Sequence, residues 1–372
     1  MKQSLISLTL VALASSAGAQ GTDDLLIGAS LPLSGPNAAA GQEGLAVAQA
    51  YFDAVNKNGG IQGRRMVLRA LDDGFNPEKA ADNARQLSAD SKVLAIFNCW
   101  GTSSCSAMVP VINENKIPLV AGIAGDGPMR TAPGRYAFNV RATTEDEISA
   151  MVRQMTSVGQ NRIAVVYQND SFGQKGLQAA QAVLSKANLK PALEQSLAAD
   201  GSNASAVVAA LQTAGANGII LVGSPTASVQ LITQTRQSGI SAPIYNLMAQ
   251  ATQKMVSDLG PHTSGVIFST LVPNPWRSAL PTVKEYQQVY GAASGKSDYS
   301  HLGLEVFINA KILTEGLRQA GRTPTREGLV TALESMDEKT FDLMTIKYRP
   351  GNHTGSTYVG LSIISRHGRF VE

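Results

Sequence analysis

Three hydroxyl side chains in a row, Thr102, Ser103 and Ser104, follow Gly101 just after the apolar run Val93–Phe97. The residues after them read as a helix to about Asn115. The first turn of a helix carries backbone N–H groups with no internal partner, and the helix dipole favours an anion there. Hydroxyls in that turn add further donors. No Lys or Arg falls between residues 93 and 115, so an anion held here relies on neutral donors. A second apolar run, 118–121, ends in Gly122-Ile123-Ala124-Gly125-Asp126-Gly127. Two buried parallel strands would thus each deliver a small-residue loop at the carboxyl edge of a sheet, the edge where open α/β sheets bind ligands. The chemistry implied is recognition of a small molecule.

Catalytic patterns are missing from the same stretch. Gly101-Thr102-Ser103-Ser104-Cys105 misses G-x-S-x-G at its last position. None of the four histidines, His262, His301, His353 and His367, has a recognisable triad context. The Gly122–Gly127 loop is not G-x-G-x-x-G, and neither H-E-x-x-H nor a P-loop occurs. The chain reads as a binding protein rather than an enzyme, with no cofactor and no metal. Cys99 and Cys105, the two cysteines, have neither zinc nor thioredoxin spacing. They either pair, as an oxidising compartment allows, or stay as two buried thiols.

The elements needed to position these residues follow in order. Residues 1–19 have a basic start at Lys2, an apolar core over 5–14 and Ala17-Gly18-Ala19 before Gln20. That is the pattern of a cleaved secretory leader, which implies export. At ~150 residues per domain the remainder suggests about two domains. Lys plus Arg number 31 against 28 acidic residues, and no basic cluster interleaves with aromatics, so nucleic acid is not expected.

From Leu25 the chain alternates strand and helix. Strands are expected at 25–31, 66–71, 93–97, 118–121 and 136–139, with helices between them. Asn76-Pro77 supplies a cap and a first-turn proline. A second round begins near Thr144, with strands at 162–167, 218–222, 244–246 and 265–270. Helices at 281–291, 301–320 and 325–336 follow, and then strands at 347–350 and 358–365. Such alternation means parallel sheets covered by helices on both faces.

The opening "IGASLPLSGPNAAAGQEGLAVAQAYFDAVNKNGGIQGRRMVLRALDDGFNPEKAADNARQL" resembles that of the periplasmic leucine/isoleucine/valine-binding proteins, type I substrate-binding proteins of ABC importers. Gly101-Thr102-Ser103-Ser104, "VVYQNDSFGQKG" and "LEVFINAKILTEGLRQAGRTPTREGLVTALESM" extend the likeness over nearly the whole chain. The resemblance implies a two-lobed α/β fold, each lobe a parallel sheet flanked by helices, joined by three hinge crossings. Lobe 1 would be 24–142 plus 274–345, and lobe 2 143–273 plus 346–372. It implies a protein placed in the periplasm and capture of a small carboxylate or amino-acid-like ligand between the lobes. Delivery would be to the membrane permease of an ABC transporter by a monomeric protein. The alternative is a sensor of the same fold reporting to a receptor.

Site residues carry over by position. Ser103, with Ser104 beside it, falls where the family takes the ligand carboxylate. The Ala124 carbonyl and Asp126 fall where it takes the ammonium. Phe172 matches the lobe-2 aromatic, Ser224 a second lobe-2 tyrosine, Met248 the ammonium-binding glutamate and Ala40 the lobe-1 aromatic beside the side-chain pocket. The departures are pointed: an acid replaces threonine at 126, Phe172 lacks the tyrosine hydroxyl, and Ala40 and Ser224 have lost bulk. The carboxylate half looks kept and the ammonium half rebuilt. Plainer roles stand beside these. Ser103 and Ser104 could be helix caps alone, Asp126 a solvated turn residue and Phe172 part of a core. His301 reads as a surface histidine, and Glu305 as a structural ion pair or a solvent-facing residue.

Overall fold

The computed structural model describes residues 24–35, 37–125, 127–251, 253–365 and 368–371. The leader expected at 1–19 and the site position Asp126 lie outside them. The first round of the chain gives β1 (Leu25–Leu31), β2 (Met66–Asp72), β3 (Val93–Phe97), β4 (Leu119–Val120) and β5 (Ala137–Phe138). They form a parallel sheet in the order β2-β1-β3-β4-β5. All five residues of β3 are buried, as expected of a central strand covered on both faces. Phe97 on β3 meets Phe52 on the helix Ala38–Lys57 at 5.6 Å between ring centroids, and Tyr51 meets Phe307 on the helix His301–Gln319 at 5.0 Å.

The second round gives β6 (Ile163–Gln168), β7 (Leu193–Leu197), β8 (Gly218–Val222), β9 (Ile244–Asn246) and β10 (Val266–Thr270). A hairpin of β11 (Lys339–Phe341) and β12 (Met344–Ile346) follows. The chain then returns as β13 (Gly360–Ile364) and β14 (Phe370–Val371). The second sheet runs β14-β13-β10-β9-β8-β6-β7, and β13 and β14 join it antiparallel. The strand expected at 347–350 is not formed. The residues paired there are those of the β11–β12 hairpin, and β7 was not anticipated.

The first sheet's core takes in Leu304, Phe307, Leu313 and Leu329 from the late helices, with Leu271, Val272, Ile346 and Tyr348. Separate clusters lie on the second sheet. The chain therefore crosses between lobes three times: after β5, after β10 and after β12. Two crossings are hydrogen-bonded to each other. Asn139 N–H donates to the His353 carbonyl (2.8 Å), Gly355 N–H to Asn139 (2.7 Å) and Ser356 N–H to Val140 (3.0 Å). Among the described residues no helix is long and apolar enough to cross a membrane.

Candidate ligand site between the lobes

The carboxyl ends of the two sheets meet. Gly125, beyond the end of β4, packs so closely on Thr144, the first residue of the helix Thr144–Ser157, that a Cβ on Gly125 would stand 2.5 Å from Thr144 Oγ1. Met248, beyond the end of β9, is buried against Arg141, just past β5, at 3.8 Å between Sδ and Nη2.

On the lobe-1 side the loops after β3 and β4 are paired. Ile123 N–H donates to the Cys99 carbonyl (2.9 Å) and Gly101 N–H to the Ile123 carbonyl (3.0 Å). Beneath them Cys99 and Cys105 form a disulfide with Cα atoms 5.4 Å apart, which decides between the two states the sequence left open. The helix Thr102–Glu114 begins at Gly101, whose φ of +81° suits glycine. No side chain caps this end. Its first internal bond runs from Cys105 N–H to the Gly101 carbonyl (3.0 Å), so the N–H groups of Thr102, Ser103 and Ser104 precede the ladder. Ser103 is exposed, whereas Ser104 is 1% exposed and its Oγ has no hydrogen-bond partner among the described residues. The cap role is thus not realised by either serine.

Ala124 is buried, and its carbonyl accepts from Arg130 Nη2 at 3.3 Å. The same nitrogen donates to the Arg141 carbonyl at 2.8 Å. Arg141 in turn pairs with Glu305, Nε to Oε1 at 3.0 Å and Nη2 to Oε2 at 3.3 Å; only the second contact is aligned as a hydrogen bond. Burial pushes the Glu305 carboxyl up, and Arg141 and then Arg130 oppose this. The sequence reading missed both arginines, because Arg141 and Glu305 stand 164 positions apart. Ala40 lies half-buried in the first turn of the helix after β1, on the same sheet edge.

At the ends of β1 and β2 a tight pair of turns completes this edge. Asp72 Oδ1 accepts from the N–H groups of Leu33 (2.8 Å), Ser34 (3.1 Å) and Gly74 (2.9 Å). The Ser34 side chain, then these N–H groups, hold its carboxyl down at about 2. Asp73 is buried, which raises its pKa, and it takes hydrogen bonds from Phe75 N–H (2.8 Å) and Ser30 Oγ (2.9 Å).

On the lobe-2 side Gln168, at the end of β6, links two loops. Its Nε2 donates to Asp170, and its Oε1 accepts from Ser224 N–H at 2.7 Å. Asp170 caps the helix Ser171–Lys186, which carries half-buried Phe172 in its first turn against the lobe-2 core. Ser224 Oγ accepts from Ala227 N–H (3.3 Å) and donates to the Ala199 carbonyl (3.2 Å), so this hydroxyl is engaged as a cap. Met248 is 6% exposed. Its sulfur faces Arg141 and accepts from Leu271 N–H at 3.1 Å, and its own N–H donates to Glu147 Oε2 at 3.0 Å. The sulfur thus ties lobe 2 to the crossings, while the backbone is held within lobe 2.

The structure therefore brings Ser103, Ser104, Ala124 and Ala40 to one sheet edge and Phe172 and Ser224 to the other, with Met248 at the hinge. A cavity of about 470 Å³ lined by Arg135, Glu334 and His353 lies by the amino end of β5. Its charged groups pair with one another, Arg135 with Glu334 at 3.5 Å and His353 with Glu334 at 3.1 Å. No cluster of three or more metal-ligating side chains occurs among the described residues.

Comparison with known proteins agrees with this architecture. Residues 25–364 match the family described as periplasmic binding protein. The Leu/Ile/Val-binding protein homolog 7 of Brucella abortus (strain 2308) is 25% identical over 338 residues, covering 86% of this chain and 83% of that protein. A substrate-binding periplasmic protein from Ralstonia solanacearum superposes with a TM-score of 0.84 at 29% identity, over 94% of this chain and 99% of that one. A possible leucine/isoleucine/valine-binding protein from Rhodopirellula baltica SH 1 shares the fold, with a TM-score of 0.85 at 23% identity over 95% and 98% of the two chains. The chain belongs to the periplasmic binding protein family, among relatives of the leucine/isoleucine/valine-binding proteins.

Proposed function

We propose that the protein captures a small carboxylate between its lobes in the periplasm and delivers it to the permease of an ABC transporter. The observation that carries this reading is the start of the helix Thr102–Glu114. It has no capping side chain, three N–H groups ahead of the helical ladder, and a buried Ser104 Oγ without a partner. Unpaired buried polar groups are costly and call for a role. A carboxylate would accept from these donors, each bond to a charged acceptor being worth roughly 1.5–3 kcal/mol.

With Asp126 outside the described residues, what is described of the other half of the site favours a plain acid over an amino acid. The Ala124 carbonyl already accepts from a guanidinium, and an ammonium beside that cation would be repelled. Ser224 and Met248 offer no carboxylate.

The test pairs a variant with a ligand control. A thermal-shift screen of aliphatic and aromatic acids and of amino acids finds the ligand, since a ligand at ~100 times its dissociation constant stabilises by roughly 2.7 kcal/mol. Ser104→Ala should then leave the stability of the unliganded protein unchanged or raised, because a hydroxyl without a partner is removed. The same change should weaken binding about tenfold, in line with loss of one charge-assisted bond. The ligand's methyl ester should bind far more weakly to the wild type. An ester that binds as well as the acid would rule the carboxylate site out.

A further inference from the structure

One aromatic ring at the lip of the serine turn is not accounted for by core packing. Phe75 is 40% exposed, the one aromatic among the exposed large hydrophobic side chains of the described residues. Its backbone has φ +64°, a region in which a bulky residue is an outlier. Its surroundings impose this conformation. Buried Asp73 accepts the Phe75 N–H and is itself fixed by Ser30 Oγ, to which Asn83 Nδ2 donates at 3.1 Å. Strained non-glycine residues held in this way cluster at ligand clamps.

The ring is carried a long way by this turn. β2 is an edge strand, yet the Phe75 ring passes over the end of β1 and lies on Gly101, where a Cβ would stand 2.6 Å from Phe75 Cε2. Gly101 opens the helix whose first turn holds the unpartnered, 1% exposed Ser104 Oγ. An exposed aromatic surface and an anion-binding turn therefore adjoin.

We propose that Phe75 is a wall of the ligand site and that the ligand is an aromatic carboxylate, its acid on the Thr102–Ser104 turn and its ring against Phe75. This rests on the carboxylate reading above and narrows it. Two rings gain an offset or edge-to-face contact that an aliphatic chain of equal area does not.

Calorimetric titration of wild type, Phe75→Ala and Phe75→Leu with benzoate, phenylacetate and the aliphatic 4-methylvalerate tests it, with thermal melts to verify folding. The expected result is that an aromatic acid binds the wild type more tightly than 4-methylvalerate. Phe75→Ala should weaken the aromatic acid about tenfold and 4-methylvalerate by less than about threefold, with Phe75→Leu between wild type and Phe75→Ala. Equal weakening of both ligand types, or tighter wild-type binding of 4-methylvalerate, overturns the inference and leaves the carboxylate reading standing. Binding of none of the three acids, while the screen finds a non-aromatic carboxylate, overturns the inference and leaves the carboxylate reading standing.

Discussion

At the scale of single residues, the pair Arg141–Glu305 near the cleft is buried on both sides. Side-chain exposures of 9% and 2% mean that both ions have left water, so neither tolerates the loss of its partner. Glu305→Gln keeps the shape but leaves the Arg141 guanidinium without its carboxylate. Denaturant unfolding should show a loss of roughly 3–5 kcal/mol, the usual cost of breaking a buried pair from one side. A loss below about 1 kcal/mol would mean that Arg141 is solvated or held elsewhere. The sequence offered an ion pair or a solvent-facing position for Glu305 but no partner, because pairing over 164 positions leaves no local spacing to read. Phe75 escaped notice for the opposite reason. Between Asp-Asp-Gly and Asn-Pro it reads as part of a turn, and only the fold shows where its ring goes.

At the scale of elements, strands with continuous apolar runs were legible and short polar ones were not. β3 and β8 are fully buried and announce themselves by composition. β7 is an edge strand reading Leu-Glu-Gln-Ser-Leu, with three polar residues inside, and β11 and β12 are three residues each. The helix His301–Gln319 was placed well, but its first residue was misjudged. His301 is buried, not a surface residue. It packs edge-on to Trp276 (5.4 Å) and to Phe370 of β14 (5.2 Å), and neither ring nitrogen has a hydrogen-bond partner among the described residues. Burial pushes its pKa from 6.5 down to about 4. A depressed histidine pKa means that the unfolded chain takes up a proton first as pH falls, so stability declines from about pH 6.5 toward pH 4. The whole decline attributable to His301 is roughly 3 kcal/mol. His301→Phe should flatten the stability profile in that window in chemical denaturation at stepped pH. An unchanged slope would place the proton uptake elsewhere.

At the scale of the molecule, the repeat of strand–helix rounds made two α/β lobes legible, and the order of familiar motifs made the family legible. The three crossings were implied by the resemblance, but the contacts that hold them together were not, since they form between segments far apart in sequence. Asn139 meets His353 and Gly355 across the first and third crossings, and Met248 ties the loop after β9 to Arg141 and Leu271. In the proposed reading the lobes move as two bodies about these crossings. A ligand gripped by donors of lobe 1 is enclosed only if lobe 2 comes over it.

That enclosure is what the account stands on, and small-angle X-ray scattering measures it. With the best carboxylate from the screen at saturation, the radius of gyration should fall relative to the unliganded protein. The ligand's methyl ester at the same concentration should leave it unchanged. An unchanged radius in the presence of an acid whose binding calorimetry has established would contradict capture between the lobes.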